Sequence, residues 1–161
     1  MGDIEVLKEV VNLLAAHKLR YWLGRGRFQW WAVHHEFGDH DSDIDFHIFR
    51  EDEKVLRKLL PKLEKRGYRI TQKAAHKISL IKANTAVEFV FLDLDATGEG
   101  VRYHETVEPS RKRFICPETL FRDWTVTIGG VEVRIPEEEY LPCVCGPRWR
   151  ECRKGGGGVE I

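Results

Sequence analysis

The spacing of apolar positions changes several times along the chain, and each change predicts an element. In 3–18, Ile4, Leu7, Val11 and Leu14 recur at helical spacing, which predicts an amphipathic helix with one buried face. Residues 21–23 suit a short buried strand, broken by Gly24 and Gly26, and 27–36, "RFQWWAVHHE", suits a short helix. In "DIDFHIF", 43–49, the period drops to two. Ile44, Phe46 and Ile48 then fall on one strand face, with Asp43, Asp45 and His47 on the other. The run 51–67 returns to helical spacing, with Val55, Leu56, Leu59, Leu60 and Leu63 as its stripe, Gly67 as its stop and Pro61 expected to kink or shorten it. "YRITQK", "HKISLIK" and "AVEFVFLDLD" read as three strands, the last two joined by a turn at "ANT". "GVRYHETV" reads as a further strand or an ordered loop, and 108–121 as irregular and basic. "TVTIGGVEVRIP" reads as a hairpin turning at Gly129-Gly130, and 137–152 as a terminal helix. The order predicts an α+β domain with a small mixed sheet flanked by helices. One domain is expected over 1–152, with 153–161 a flexible Gly-rich tail.

Composition narrows the function classes. The 161 residues suffice for one core, and 42% hydrophobic content argues against disorder. The 26 basic and 26 acidic residues cancel, so no whole-molecule attraction to nucleic acid is expected. No apolar run is long enough for a membrane span, and the charged "MGDIEVLKEV" lacks a signal-peptide core, so a cytoplasmic location is expected. A reducing location in turn argues against disulfides among Cys116, Cys143, Cys145 and Cys152. Three of them lie in "CVCGPRWREC", whose C-x-C-x6-C spacing lacks the paired units of a structural zinc site.

The informative chemistry is in "HDSDIDFHIF". Carboxylates at i and i+2 of a strand point the same way and repel, and a divalent cation with oxygen ligands relieves that cost. Asp43 and Asp45 are therefore candidate ligands, against the plainer reading of an acidic edge facing water. Glu88 stands alone in an apolar strand. It either completes a triad with the two aspartates or pairs with Lys77 or Lys82 on the neighbouring strand. Upstream, Gly24 and Gly26 permit close backbone approach to phosphate. Arg25 and Arg27 beside them are candidate phosphate ligands or exposed charges, and Lys77 is a candidate phosphate contact or a surface ion pair. Asp41 reads as a turn cap or a supporting group, and His47 as a structural histidine or an orienting group. The basic run 110–114 reads as a solvated loop or an anion contact, and "FQWW" as core or as a stacking surface for a base.

"WLGRG", "DSDIDFHI" and "VEFVFL" together resemble the nucleotidyltransferase superfamily. The resemblance implies that Asp43, Asp45 and Glu88 bind Mg²⁺ (or Mn²⁺) and act as the catalytic set, and that the turn at Gly24, Arg25, Gly26 and Arg27 holds nucleotide phosphates. This chain has Gly24-Arg25-Gly26 where the superfamily usually has Gly-Gly or Gly-Ser. Within the superfamily the chain resembles the LicD/fukutin phosphotransferases. "HDSDIDF" is similar to their W-D-x-D-I-D stretch, with His40 in place of Trp. "GGVEVRIPEEEYLPCVCGPRW" is similar to their C-terminal run, with Cys145 in place of Tyr. That resemblance covers roughly Trp22 to Trp149 and implies transfer of a phosphorylated group, such as phosphocholine or phosphoribitol, from a CDP-linked donor to a glycan hydroxyl. It also places the cysteines in a structural helix, so no zinc is expected. Two alternatives stand beside it. One is nucleotidyl transfer from an NTP to a small hydroxyl acceptor such as an antibiotic. The other is a non-catalytic nucleotide-binding module.

Overall fold

The structure is a computed structural model that describes residues 2–38, 43–95, 102–107 and 111–151. The elements are α1 (Asp3–Ala16), β1 (Trp22–Leu23), α2 (Arg25–His34), β2 (Ile44–Phe49), α3 (Glu53–Lys65), β3 (Arg69–Lys73), β4 (Lys77–Lys82), β5 (Thr85–Asp95), β6 (Arg102–Val107), β7 (Arg111–Pro117), β8 (Thr125–Ile128), β9 (Val131–Arg134) and α4 (Tyr140–Cys145). This is the expected α+β arrangement. Seven strands form one sheet in the order β1-β2-β5-β4-β3, with β6 and β7 continuing from the far end of β5, and β8–β9 is a separate hairpin. Only β2 and β5 run parallel among these pairs, which makes the sheet mixed.

The two-residue period of β2 organises the molecule. Ile44, Phe46 and Ile48 are fully buried and pair in register with Val87, Phe89 and Phe91 of β5. They share one core with the stripes of α1 (Val6, Leu7, Val10, Leu14) and α3 (Leu56, Leu59, Leu60, Leu63). Burial of each such side chain contributes about 1.5–3 kcal/mol. The opposite face of β2 changes character along its length. It begins with Asp43 and Asp45 and continues with His47 and Phe49, whose rings lie under Phe121.

Several expectations need correction. Val55 is 40% exposed and lies outside the α3 stripe, and α3 runs through Pro61 to Lys65. Segment 111–117 is a strand, not irregular, because its backbone completes β6. The terminal helix is six residues long, ended by Gly146 at φ 83° and by Pro147. Cys116 and Cys143 are joined as a disulfide between β7 and α4, with Cα atoms 6.4 Å apart. Cys145 is buried separately, with its Sγ 3.8 Å from Gln29 Oε1. Asp41, Ser110, Cys152 and the Gly-rich tail lie outside the described residues.

The β8–β9 turn carries a stability prediction. Gly129 has φ +59°, and a Cβ there would come within 2.5 Å of Ile4 Cγ2 on α1. Gly130 also has positive φ, but a Cβ there meets nothing within 4 Å. Gly129→Ala is expected to cost about 2 kcal/mol, and Gly130→Ala about 1 kcal/mol from backbone strain alone. Thermal melts of the two variants check the order.

Candidate functional site

Pairing of β2 with β5 sets Asp45 opposite Glu88, so both side chains leave the same sheet face, and Asp43 precedes β2 by one residue on that face. One carboxylate oxygen from each of Asp43, Asp45 and Glu88 lies within 4.8 Å of the others. All three residues are half-buried. Two like charges at that separation repel by about 3–4 kcal/mol at an effective dielectric near 20. The arrangement shows in the titration of the group. Burial, then the charge of Glu88, pushes the Asp43 carboxyl above its ordinary value. Burial also pushes Glu88 up, but the hydrogen bond and charge of Lys77, with hydrogen bonds from Asp45 and Ser79, outweigh it and hold Glu88 below the usual range.

The two readings of Glu88 therefore coexist. Lys77 Nζ lies 3.0 Å from Glu88 Oε1, yet Glu88 still faces the aspartates. Lys82 instead pairs with Glu9 at 2.7 Å. Ser79, opposite Glu88 in the β4–β5 hairpin, donates its hydroxyl to the same Oε1 at 3.2 Å. Sequence reasoning missed Ser79. The turn at Ala83 and Asn84, both at positive φ, fixes the register that places it there.

The glycine turn lies against this cluster. Gly24 follows β1 and donates its N–H to the Asp45 carbonyl at 2.8 Å. A Cβ at Gly24 would sit 3.0 Å from His47 Nε2 and 3.4 Å from Asp45 Cβ, so the close approach requires glycine. Gly26 does not extend the turn. Helix α2 starts at Arg25 with Gly24 as its N-cap, and the first intrahelical bond runs from Phe28 N–H to the Gly24 carbonyl. The amides ahead of it are the donors that a helix start leaves for an external acceptor. Tyr140 in α4 takes one of them: Arg25 N–H donates to its hydroxyl at 3.1 Å. The same hydroxyl lies 2.6 Å from His47 Nε2. Burial, then the charge of Arg25, lowers the His47 pKa to about 3, so the imidazole is neutral and is hydrogen-bonded to the hydroxyl through Nε2. His47 is thus a structural partner of α4.

Arg25 is half-buried at the turn, whereas Arg27 is only 1% exposed. The Arg27 guanidinium donates to Asp3 at 2.5 Å and to the Gly38 carbonyl at 3.2 Å, and stacks over Phe37. These contacts make it a buried tie between α1 and α2, not the exposed charge that is the alternative reading of its place beside the turn. Arg27→Ala is expected to lower stability by about 3 kcal/mol, because Asp3 loses its buried partner. Chemical denaturation measures that loss.

An open cleft of about 430 Å³ follows α2 away from the turn, with Trp31, Ala32, Trp124 and Val126 among its walls and Glu139 at its rim. Trp124 is 53% exposed there. Of "FQWW", Phe28 is core and Trp31 belongs to this cleft. For the basic run 110–114 only backbone pairing in β7 is described. No helix among the described residues is long and apolar enough to cross a membrane.

Comparison with known proteins sets the fold. No family model matches the chain. Over 74 residues it is 30% identical to an uncharacterised protein of Rickettsia prowazekii (strain Madrid E), a match covering 46% of this chain and 28% of that protein. Among solved structures it is similar to the antibiotic-resistance factor ANT(2'')-Ia in solution, with TM-score 0.55 and 18% identity over 83% of this chain and 64% of that one. It is also similar to ANT(2'')-Ia in complex with adenylyl-2''-tobramycin, with TM-score 0.54 and 17% identity over 83% of this chain and 68% of that one. The chain thus spans about two thirds of the solved structures it matches. At 17–18% identity the likeness shows the fold alone: the chain has an α+β, nucleotidyltransferase-like fold with a small mixed sheet.

Proposed function

We propose that the chain is a cation-dependent transferase that moves a nucleotidyl group from an NTP to the hydroxyl of a small acceptor. The observation that carries the reading is the register of Asp45 on Glu88, with Asp43 beside them and Gly24 closed down on Asp45. The donor set fits Mg²⁺ or Mn²⁺: three carboxylates converge, and burial together with the charge of Glu88 holds Asp43 above its ordinary pKa. Asp43, Asp45 and Glu88 would hold the ion. When bound, it would neutralise charge on the transferring phosphoryl group. The helix-start amides of α2 bind the nucleotide phosphates, and Arg25 and Lys77 add positive charge beside them. Glu88, kept ionised by Lys77, accepts the proton of the attacking hydroxyl. We assign the acceptor to the cleft between Trp31 and Trp124, whose rings suit an apolar or stacking surface.

A second reading keeps the same residues but transfers a phosphorylated alcohol from a CDP-linked donor to a glycan. The run "GGVEVRIPEEEYLPCVCGPRW" favours it, while the likeness to ANT(2'')-Ia favours the first. A donor screen separates them. Each NTP and CDP-choline is incubated with MnCl2, the chain and a panel of hydroxyl acceptors. Pyrophosphate release with a nucleotidylated product by mass spectrometry supports the first reading, and CMP release from CDP-choline the second. Nucleotide binding without turnover of any donor would leave a binding module.

A further inference from the structure

The face of β2 that begins with Asp43 and Asp45 continues into a buried polar contact that the proposed chemistry does not use. His47 and Tyr140 are 2% and 1% exposed and 93 residues apart, yet His47 Nε2 and the Tyr140 hydroxyl lie 2.6 Å apart. A buried pair of this kind needs a reason beyond packing, since apolar residues of similar shape fill such a space at no desolvation cost. The third member of the group supplies one. The Tyr140 oxygen also accepts the N–H of Arg25, the first residue of α2 and the neighbour of Gly24. The His47 ring is meanwhile the atom group that a Cβ on Gly24 would meet first. One hydroxyl and one imidazole thus grip the turn from its helix side and its strand side.

We infer that Tyr140, oriented by His47, is the positioning residue of the nucleotide's phosphate-binding turn, fixing the Arg25 amide and with it the direction of the remaining helix-start donors. The inference rests on the nucleotide reading of the site above. The hydroxyl uses the Arg25 N–H itself, so phosphate is left to the amides that follow. Glycine at 24 gives the turn its close approach but no side chain to hold it, and the N-cap makes no side-chain hydrogen bond. Restraint must come from outside the turn: β2 holds the Gly24 N–H through the Asp45 carbonyl, and α4 holds the Arg25 N–H through Tyr140. That helix is itself held, with Leu141 and Val144 buried and Cys143 joined to Cys116 of β7. The C-terminal hairpin and helix, which contribute none of the three carboxylates, thereby set how well the site binds a nucleoside triphosphate. A pre-set donor array loses less freedom on binding, and the gain appears in affinity.

Tyr140→Phe tests this. The ring keeps its packing on Phe28 and Phe121, at centroid distances of 5.9 and 6.2 Å, and only the hydroxyl is lost. Expected results are hydrogen exchange at the Arg25 amide faster by about tenfold or more, and a dissociation constant for the bound NTP, with Mg²⁺, raised by about tenfold. Mn²⁺ binding without nucleotide stays unchanged, since the carboxylates are untouched; a merely structural role would degrade both. Should Tyr140→Phe not fold, His47→Leu carries the test, because it removes the ring nitrogen that orients the hydroxyl; a raised NTP dissociation constant is again expected. Nucleotide affinity and Arg25 exchange equal to wild type in the folded variant would overturn the inference alone. A wild-type chain that binds none of ATP, GTP, CTP or UTP would overturn the nucleotide reading and the inference with it.

Discussion

Glu88→Gln is expected to leave the chain folded while lowering activity by about 10²-fold or more. The amide keeps the volume of the side chain and can still accept the Ser79 hydroxyl hydrogen bond. What it loses is the charge that would help hold a cation and take a proton. The stability cost is small, because Lys77 and Glu88 keep 27% and 19% of their side-chain surface in water, and exposed or half-exposed pairs contribute about 0–1 kcal/mol. Lys77→Met is the necessary companion. If Glu88 served only to neutralise Lys77, the two variants would lose equally little. The account predicts a far deeper loss of turnover in Glu88→Gln at similar melting temperature. Near-wild-type turnover in Glu88→Gln would reduce Glu88 to an ion-pair partner.

Gly24→Val is expected to abolish measurable turnover, a loss of about 10³-fold, and to destabilise the chain by about 2–3 kcal/mol. The first added carbon already meets His47 Nε2 at 3.0 Å, Cδ2 at 3.2 Å and Asp45 Cβ at 3.4 Å. His47 cannot swing aside without leaving Tyr140, and Asp45 cannot move without leaving Glu88's face. The two branches of valine must then lift the turn off the strand, breaking the Gly24 bond to the Asp45 carbonyl. Steady-state assays with denaturation curves measured in parallel separate the local loss from unfolding: the predicted fall in rate far exceeds the fraction unfolded.

Much of this site could be read before the fold was known, for particular reasons. The two-residue period of "DIDFHIF" alone put Asp43 and Asp45 on the face opposite Ile44, Phe46 and Ile48. The isolation of Glu88 among apolar residues marked it as needing a partner. The "ANT" turn fixed the neighbouring hairpin, and with it the position of Lys77 near Glu88. What could not be read were contacts between segments far apart in the chain. Arg27 looks like a surface charge because its partner Asp3 lies on a different helix. The bond from Tyr140 to His47 joins a helix to a strand across most of the sequence, and no periodicity encodes it. Strand β7 was hidden by its charged composition: among the described residues it pairs on one side only, with β6, so it lacks the apolar run of a central strand. The Cys116–Cys143 pairing was discounted by an argument from compartment, which geometry does not share. The early end of α4 could have been inferred, since Gly146-Pro147 is a stop signal directly after Cys145.

The central claim is that Asp43, Asp45 and Glu88 gather on one sheet face to hold a divalent cation against a nucleotide. Calorimetric titration of Mn²⁺ into the chain, with saturating non-hydrolysable NTP, compared between wild type and the Asp43→Asn/Asp45→Asn double variant, tests it most directly. The account predicts saturable binding of about one ion or two per chain in wild type, as in carboxylate-held phosphoryl-transfer sites, and loss of that binding in a double variant that still melts cooperatively. Mn²⁺ binding of unchanged affinity and stoichiometry in the double variant would contradict it.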